Sequence, residues 1–116
     1  MRLKSKYLVL VFSLILSLGS AHAPKEGAIW YFVYGAGLDF TSHYPTPLTD
    51  GQLKTREGVA TISNKDGELI LYTDGQTIWN KLHQVMVNGT GLHGNVSSTQ
   101  SSIVVPKPGS STVYYI

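Results

Sequence analysis

The sequence predicts an all-β fold of antiparallel hairpins, on three observations. The apolar runs after residue 23 are short, rich in β-branched and aromatic residues, and bounded by Gly, Pro, Asn or Asp, which is the strand pattern. No long stretch carries the apolar period of an amphipathic helix. A Lys-x-Gly triplet recurs at Lys25-Glu26-Gly27, Lys65-Asp66-Gly67 and Lys107-Pro108-Gly109, at separations of 40 and 42 residues.

The first 23 residues stand apart from this pattern. Arg2, Lys4 and Lys6 precede an apolar run over residues 7–18, and Gly19-Ser20-Ala21-His22-Ala23 follows with small residues. A basic start, an apolar centre and a small-residue site form a secretory signal peptide. A membrane span needs roughly 20 apolar residues, more than this run supplies. Cleavage after Ala23 satisfies the A-x-A rule but leaves Pro24 next to the cut, whereas cleavage after Ala21 avoids it. The expected product, residues 24–116, is exported to the cell surface or the medium, with no membrane span of its own.

Three of the nine basic residues lie in the export segment, leaving six against seven acidic residues, a net charge of −1. No Lys/Arg cluster remains, so nucleic acid and anionic membrane are not expected partners. The chain has no cysteine, so packing alone must hold an exported domain of this size together.

In chain order, strands are expected over residues 28–34, 58–63, 68–73, 76–80, 84–87, 101–105 and 111–116. Residues 35–57 and 88–100 read as loops, because Gly, Pro, Ser, Thr and Asn interrupt every apolar run there. At the second and third triplets the turn is flanked by an apolar strand on both sides, with Gly67 and Gly109 supplying the positive φ of a tight turn. A unit of this length in an all-β chain is the size of one propeller blade, of which a closed propeller needs roughly 4–8. The expectation is therefore about two blades of an incomplete β-propeller. The first triplet lacks a preceding strand and Val113–Ile116 is an apolar run without a turn after it, which leads us to expect further blades on the same polypeptide.

The blocks IWYFVYGAGLDF, ELILYTDGQTIWN and SSTQSSIVVPKPGSSTVYYI resemble the opening of large secreted proteins of the Bacteroidota. The likeness extends over residues 26–116 and departs from the pattern at Val33-Tyr34 and Val59. It implies an N-terminal propeller-like domain, often followed by PKD repeats and a gliding-motility-associated sorting domain read by type IX secretion. It implies no catalytic residue and no cofactor. The expected function is a non-catalytic binding, adhesion or scaffold module whose partner is an extracellular protein or polysaccharide. The alternative is the first blades of a propeller-type glycosidase or lyase whose catalytic residues lie elsewhere.

Chemistry-bearing residues are sparse. Gly35-Ala36-Gly37 follows a strand, but Phe40 stands where a dinucleotide loop needs its third glycine. Thr73-Asp74-Gly75 opens a hairpin turn in which Asp74 would cap backbone N–H groups and Trp79 would pack between blades. A glycosidase needs two facing carboxylates, yet Asp50, Asp66 and Asp74 each precede a glycine and Glu57 follows Arg56, so turn and surface roles suffice. His43, His83 and His93 match no compact metal motif and read as surface residues. The serines form no nucleophile elbow. Trp30, Tyr31, Phe32, Trp79, Tyr114 and Tyr115 fall on strands and read as core. Tyr34, Asp39, Phe40 and Tyr44, on or beside the long loop, are the candidate ligand contacts.

Overall fold

The computed structural model describes residues 24–116; the expected export segment and its expected cleavage sites lie outside the described residues. The described chain is all-β and antiparallel. Strands β1 (Ile29–Tyr31), β2 (Gly37–Asp39) and β3 (Thr46–Leu48) form one sheet in sequence order. Strands β4 (Ala60–Ser63), β5 (Leu69–Thr73), β6 (Thr77–Asn80) and β7 (Val85–Thr90) form a second, again in sequence order. Strands β8 (Val105–Pro106) and β9 (Tyr114–Tyr115) make a short hairpin. Among the described residues no helix is long and apolar enough to cross a membrane.

The first strand ends earlier than residue 34. Val33–Gly35 form a single 3-10 turn, in which Tyr34 and Gly35 take φ of 57° and 77°. The Ala36 N–H closes that turn onto the Val33 carbonyl, and β2 returns against β1. Two strands therefore lie inside the region read as loop. They are only three residues long, and Pro47 sits on β3, an edge strand, where its missing N–H costs no ladder bond.

The first sheet lies along β4. The Tyr31 N–H donates to Thr61 Oγ1 at 3.1 Å, and the Ser63 N–H donates to the Glu26 carbonyl at 2.8 Å. Tyr31, Leu53, Leu69 and Tyr72 form the buried core, with Ile29, Leu48, Val59 and Trp79 packed against it. Tyr72 stacks on Tyr31 at 4.6 Å on one side and on Trp79 at 5.5 Å on the other. Such pairs add about 0.5–1.5 kcal/mol beyond the area they bury. Trp79 thus packs within the sheet that carries it, against its cross-strand neighbour Tyr72.

The three Lys-x-Gly triplets sit on turns of differing register. The turn at Lys25 is closed by the Ala28 N–H, the turn at Lys107 by the Ser110 N–H, and the middle turn starts one residue earlier, at Asn64. Asn64 Oδ1 accepts from the N–H groups of Asp66 and Glu68, so the asparagine organises the β4–β5 turn. Gly67 and Gly109 take φ of 93° and 75°.

The β5–β6 turn is tied most tightly. Asp74 Oδ1 accepts the N–H groups of Gln76 and Thr77 at 2.9 and 2.8 Å, and Thr73 Oγ1 accepts the Gly75 N–H while donating to the Thr77 carbonyl. Gly75 has φ of 83°, and a Cβ there would meet the Ser101 backbone oxygen and Cβ at 2.8 Å. Gly75→Ala is expected to cost about 1–3 kcal/mol through strain and overpacking. A denaturation midpoint equal to that of the parent chain would refute this.

The outer strand of the second sheet is irregular. Between the pairs Thr77↔Thr90 and Trp79↔Val85, β6 advances two residues while β7 advances five. Asn88, at φ of 56°, and Gly89 sit inside this bulge. The hairpin β8–β9 is shorter than expected: only Val105 and Pro106 pair with Tyr115 and Tyr114, and Pro108 sits in the turn closed between Lys107 and Ser110.

Candidate functional site

The first sheet turns its two faces to different surroundings. Side chains alternate along β1, so Tyr31 points into the core while Trp30 and Phe32 point away from it. Both were expected in the core, but Trp30 is half exposed and Phe32 is at the margin. Phe40 joins them, because its N–H donates to the Ala28 carbonyl and carries the β2 end back beside β1. Its ring lies 5.5 Å from Trp30, and Phe32 lies 6.3 Å from Trp30 on the other side. The indole N–H donates to the Gly27 carbonyl at 2.7 Å, which fixes the ring. Trp30, Tyr31, Phe32, Val59 and Thr61 line a shallow pocket of about 230 Å³ beneath this aromatic face.

Of the four candidate ligand contacts, only Phe40 enters this cluster. Tyr34 crests the 3-10 turn and is 74% exposed. Tyr44 meets His43 edge-on at 4.8 Å, and its carbonyl accepts from the Ser42 hydroxyl. Asp39 Oδ1 accepts the Thr41 N–H at 2.7 Å, a local turn that accounts for the carboxylate. Two further carboxylates also have simple partners: Glu68 accepts from the nearby Asn64 amide, and Glu57 accepts from Thr99 Oγ1 across the fold. Among the described residues no three His, Asp or Glu side chains gather as a metal-ligand set.

A second cluster was not expected. Asp50 Oδ1 accepts the Tyr31 hydroxyl at 2.7 Å, and Asp50 Oδ2 lies 3.2 Å from His83 Nε2. His83 Nδ1 lies 3.0 Å from the Tyr72 hydroxyl, which accepts the Gln52 N–H at 3.2 Å. His83 is therefore no surface histidine; its side chain is 23% exposed and its ring packs against both tyrosines. Asn80 puts it there. Asn80 Oδ1 accepts the N–H groups of Leu82 and Gln84, the Asn80 carbonyl accepts the His83 N–H, and His83 takes φ of 59°.

The electrostatics follow from this geometry. The Tyr31 hydrogen bond holds the Asp50 carboxyl below its usual range; burial opposes it, and the Asp50 backbone N–H and then His83 assist. Burial, then the bond to Asp50, raises Tyr31. Burial also raises Tyr72, with the Gln52 N–H opposing and the Asp50 charge assisting. Tyr72 is fully buried, so the array offers solvent only Asp50 and the rim of the His83 ring. Its geometry suits it to fastening segments together.

No sequence signal short of the fold would have found this cluster. Asp50 and His83 are 33 positions apart, and each sits in a turn-like context. The aromatic face was half visible, in the density of rings over residues 30–40. No family model, no curated protein and no solved structure matches the chain.

Proposed function

We propose that this chain is part of an exported, non-catalytic binding module that holds an extracellular protein or polysaccharide through the aromatic face of its first sheet. The observation that carries this reading is the cluster of Trp30, Phe32 and Phe40, three neighbouring rings turned away from the core. Aromatic residues grouped on an exposed face mark contact surfaces, because they bury much area at small entropic cost. The basic-apolar-small pattern of residues 1–23 supports export.

We read β4–β7 as a propeller blade. Four consecutive antiparallel strands in sequence order are the make-up of one blade, and sheets flank it on either side in sequence. The likeness to secreted Bacteroidota proteins supports the same reading, and with it a location at the cell surface or in the medium.

The test joins localisation to binding. Cells producing the intact chain are fractionated, and the exported product is assayed against the extracellular polysaccharide and surface proteins of its host. Trp30→Ala with Phe40→Ala is expected to weaken binding by about tenfold or more, as loss of aromatic anchors does at contact surfaces. An uncleaved chain held in the cytoplasm, or a double variant that binds as the parent does, overturns the proposal.

A further inference from the structure

We infer that the aromatic face takes a protein and not a polysaccharide: the notch walled by Trp30 and Phe32 receives one apolar side chain from a different, extracellular protein. This rests on the binding role proposed above and narrows its partner. Trp30, Tyr31, Phe32, Val59 and Thr61 line the notch, and none of them is charged. Such a lining complements an uncharged side chain. The indole N–H is spent on the Gly27 carbonyl at 2.7 Å, and the Tyr31 hydroxyl on Asp50. Asp39 is the one acidic residue on the strands of the first sheet. It stands directly across from Ile29, which packs against the core, so it lies on the face opposite to Trp30.

A sugar ring carries hydroxyls around its edge. Each loses water on entering an apolar notch and needs a donor or acceptor in return. Among the lining side chains only the Thr61 hydroxyl is free to answer: its oxygen accepts the Tyr31 N–H, and its proton has no acceptor among the described residues. A peptide asks for little more. Its apolar side chain enters the notch, and the backbone carbonyl beside that side chain takes the Thr61 proton.

The shape agrees with the chemistry. Phe32 and Phe40 stand at 69° and 58° to the indole, so the three rings do not make the flat platform on which a pyranose stacks. Trp30 and Phe32 instead bound a space of about 230 Å³. That is less than the roughly 300–1,000 Å³ of small-molecule clefts, and it has room for one large aliphatic or aromatic side chain. The walls are set before any partner arrives, because the indole is tied to Gly27 and the Tyr31 N–H ties β1 to Thr61 on β4. A single side chain in a preformed pocket is the kind of anchor that carries most of the affinity at protein contacts.

Titration of the intact chain, followed by NMR, separates the two classes of partner. The probes are blocked glycine pentapeptides with a central leucine, phenylalanine or serine, and the sugars cellotetraose and chitotetraose. Saturable shifts at the Trp30 indole N–H, Val59 and Thr61 are expected with the leucine and phenylalanine peptides. Affinity for the serine peptide should be lower by about tenfold or more, the worth of burying an apolar side chain, and the tetrasaccharides should leave these signals in place. Trp30→Ala should weaken the leucine peptide by about tenfold, whereas Phe40→Ala, which removes a ring outside the lining, should change it by less than about threefold. Equal affinity for the serine and leucine peptides, or no shift with any peptide, overturns the inference. So do saturable shifts from a tetrasaccharide at these residues, but that result keeps the aromatic face as a binding site and so spares the broader proposal. Shifts that grow with the concentration of the chain alone would put a second copy in the notch and overturn the inference as well. Should Trp30→Ala fail to fold, the peptide series on the parent chain decides.

Discussion

Replacing Tyr72 by alanine is expected to cost about 3–5 kcal/mol, the range for removing a large buried aromatic side chain. The ring is wholly buried and lies between Tyr31 and Trp79, so its loss opens a hole between two sheets rather than inside one. Its hydroxyl also joins Gln52 to His83, so truncation leaves the Gln52 N–H and a ring nitrogen unpaired. Tyr72→Phe separates the two losses. It keeps the stack and removes the hydroxyl, and should cost about 1–3 kcal/mol, the penalty of stranding a buried polar group. Chemical denaturation of the three proteins checks the ordering. Equal midpoints for Tyr72→Phe and Tyr72→Ala would show that packing between the sheets contributes nothing.

Leu53→Ala is expected to cost about 2–5 kcal/mol, although the residue lies outside every strand. Leu53 is 1% exposed and belongs to the same buried cluster as Tyr31 and Tyr72. Two positions on, Thr55 is fully buried and donates through Oγ1 to the Val96 carbonyl, while the Arg56 and Gly58 N–H groups donate to Val96 and Ser98. The connection between the sheets is thus tied down by two buried side chains and by hydrogen bonds to Val96 and Ser98. The effect should appear as a lowered Tm and as lost exchange protection across both sheets. A change confined to residues 49–58 would instead mean that the connection unfolds alone.

The parts of the fold that the sequence revealed are those governed by local chemistry. Strands β4, β5 and β6 are apolar runs closed by Asn64 to Gly67 and by Asp74-Gly75, so both turn and strand are written in adjacent residues. Strands β2 and β3 escaped because three residues beside Gly37 and Pro47 carry no periodicity; pairing with a neighbour makes them strands. Leu53 and Thr55 escaped for a related reason, since the chain that buries them arrives from elsewhere. Trp30 and Phe32 were expected in the core because composition reports how apolar a strand is and not whether both its faces are covered. The cluster of Tyr31, Asp50, Tyr72 and His83 is the extreme case. Its members come from β1, β5, the segment after β3 and the β6–β7 turn, and only the fold brings them together.

The free borders of the two larger sheets share one property. On β3 the border carries Pro47, and on β7 it is broken by the bulge at Asn88 and Gly89. Runaway stacking of copies needs a straight run of available donors and acceptors, and each border breaks that run within a few residues. A molecule that displays Val87 and several aromatic rings to water thereby resists growth into fibrils. Straightening β7 by deleting Asn88 and Gly89 would remove that safeguard from one side.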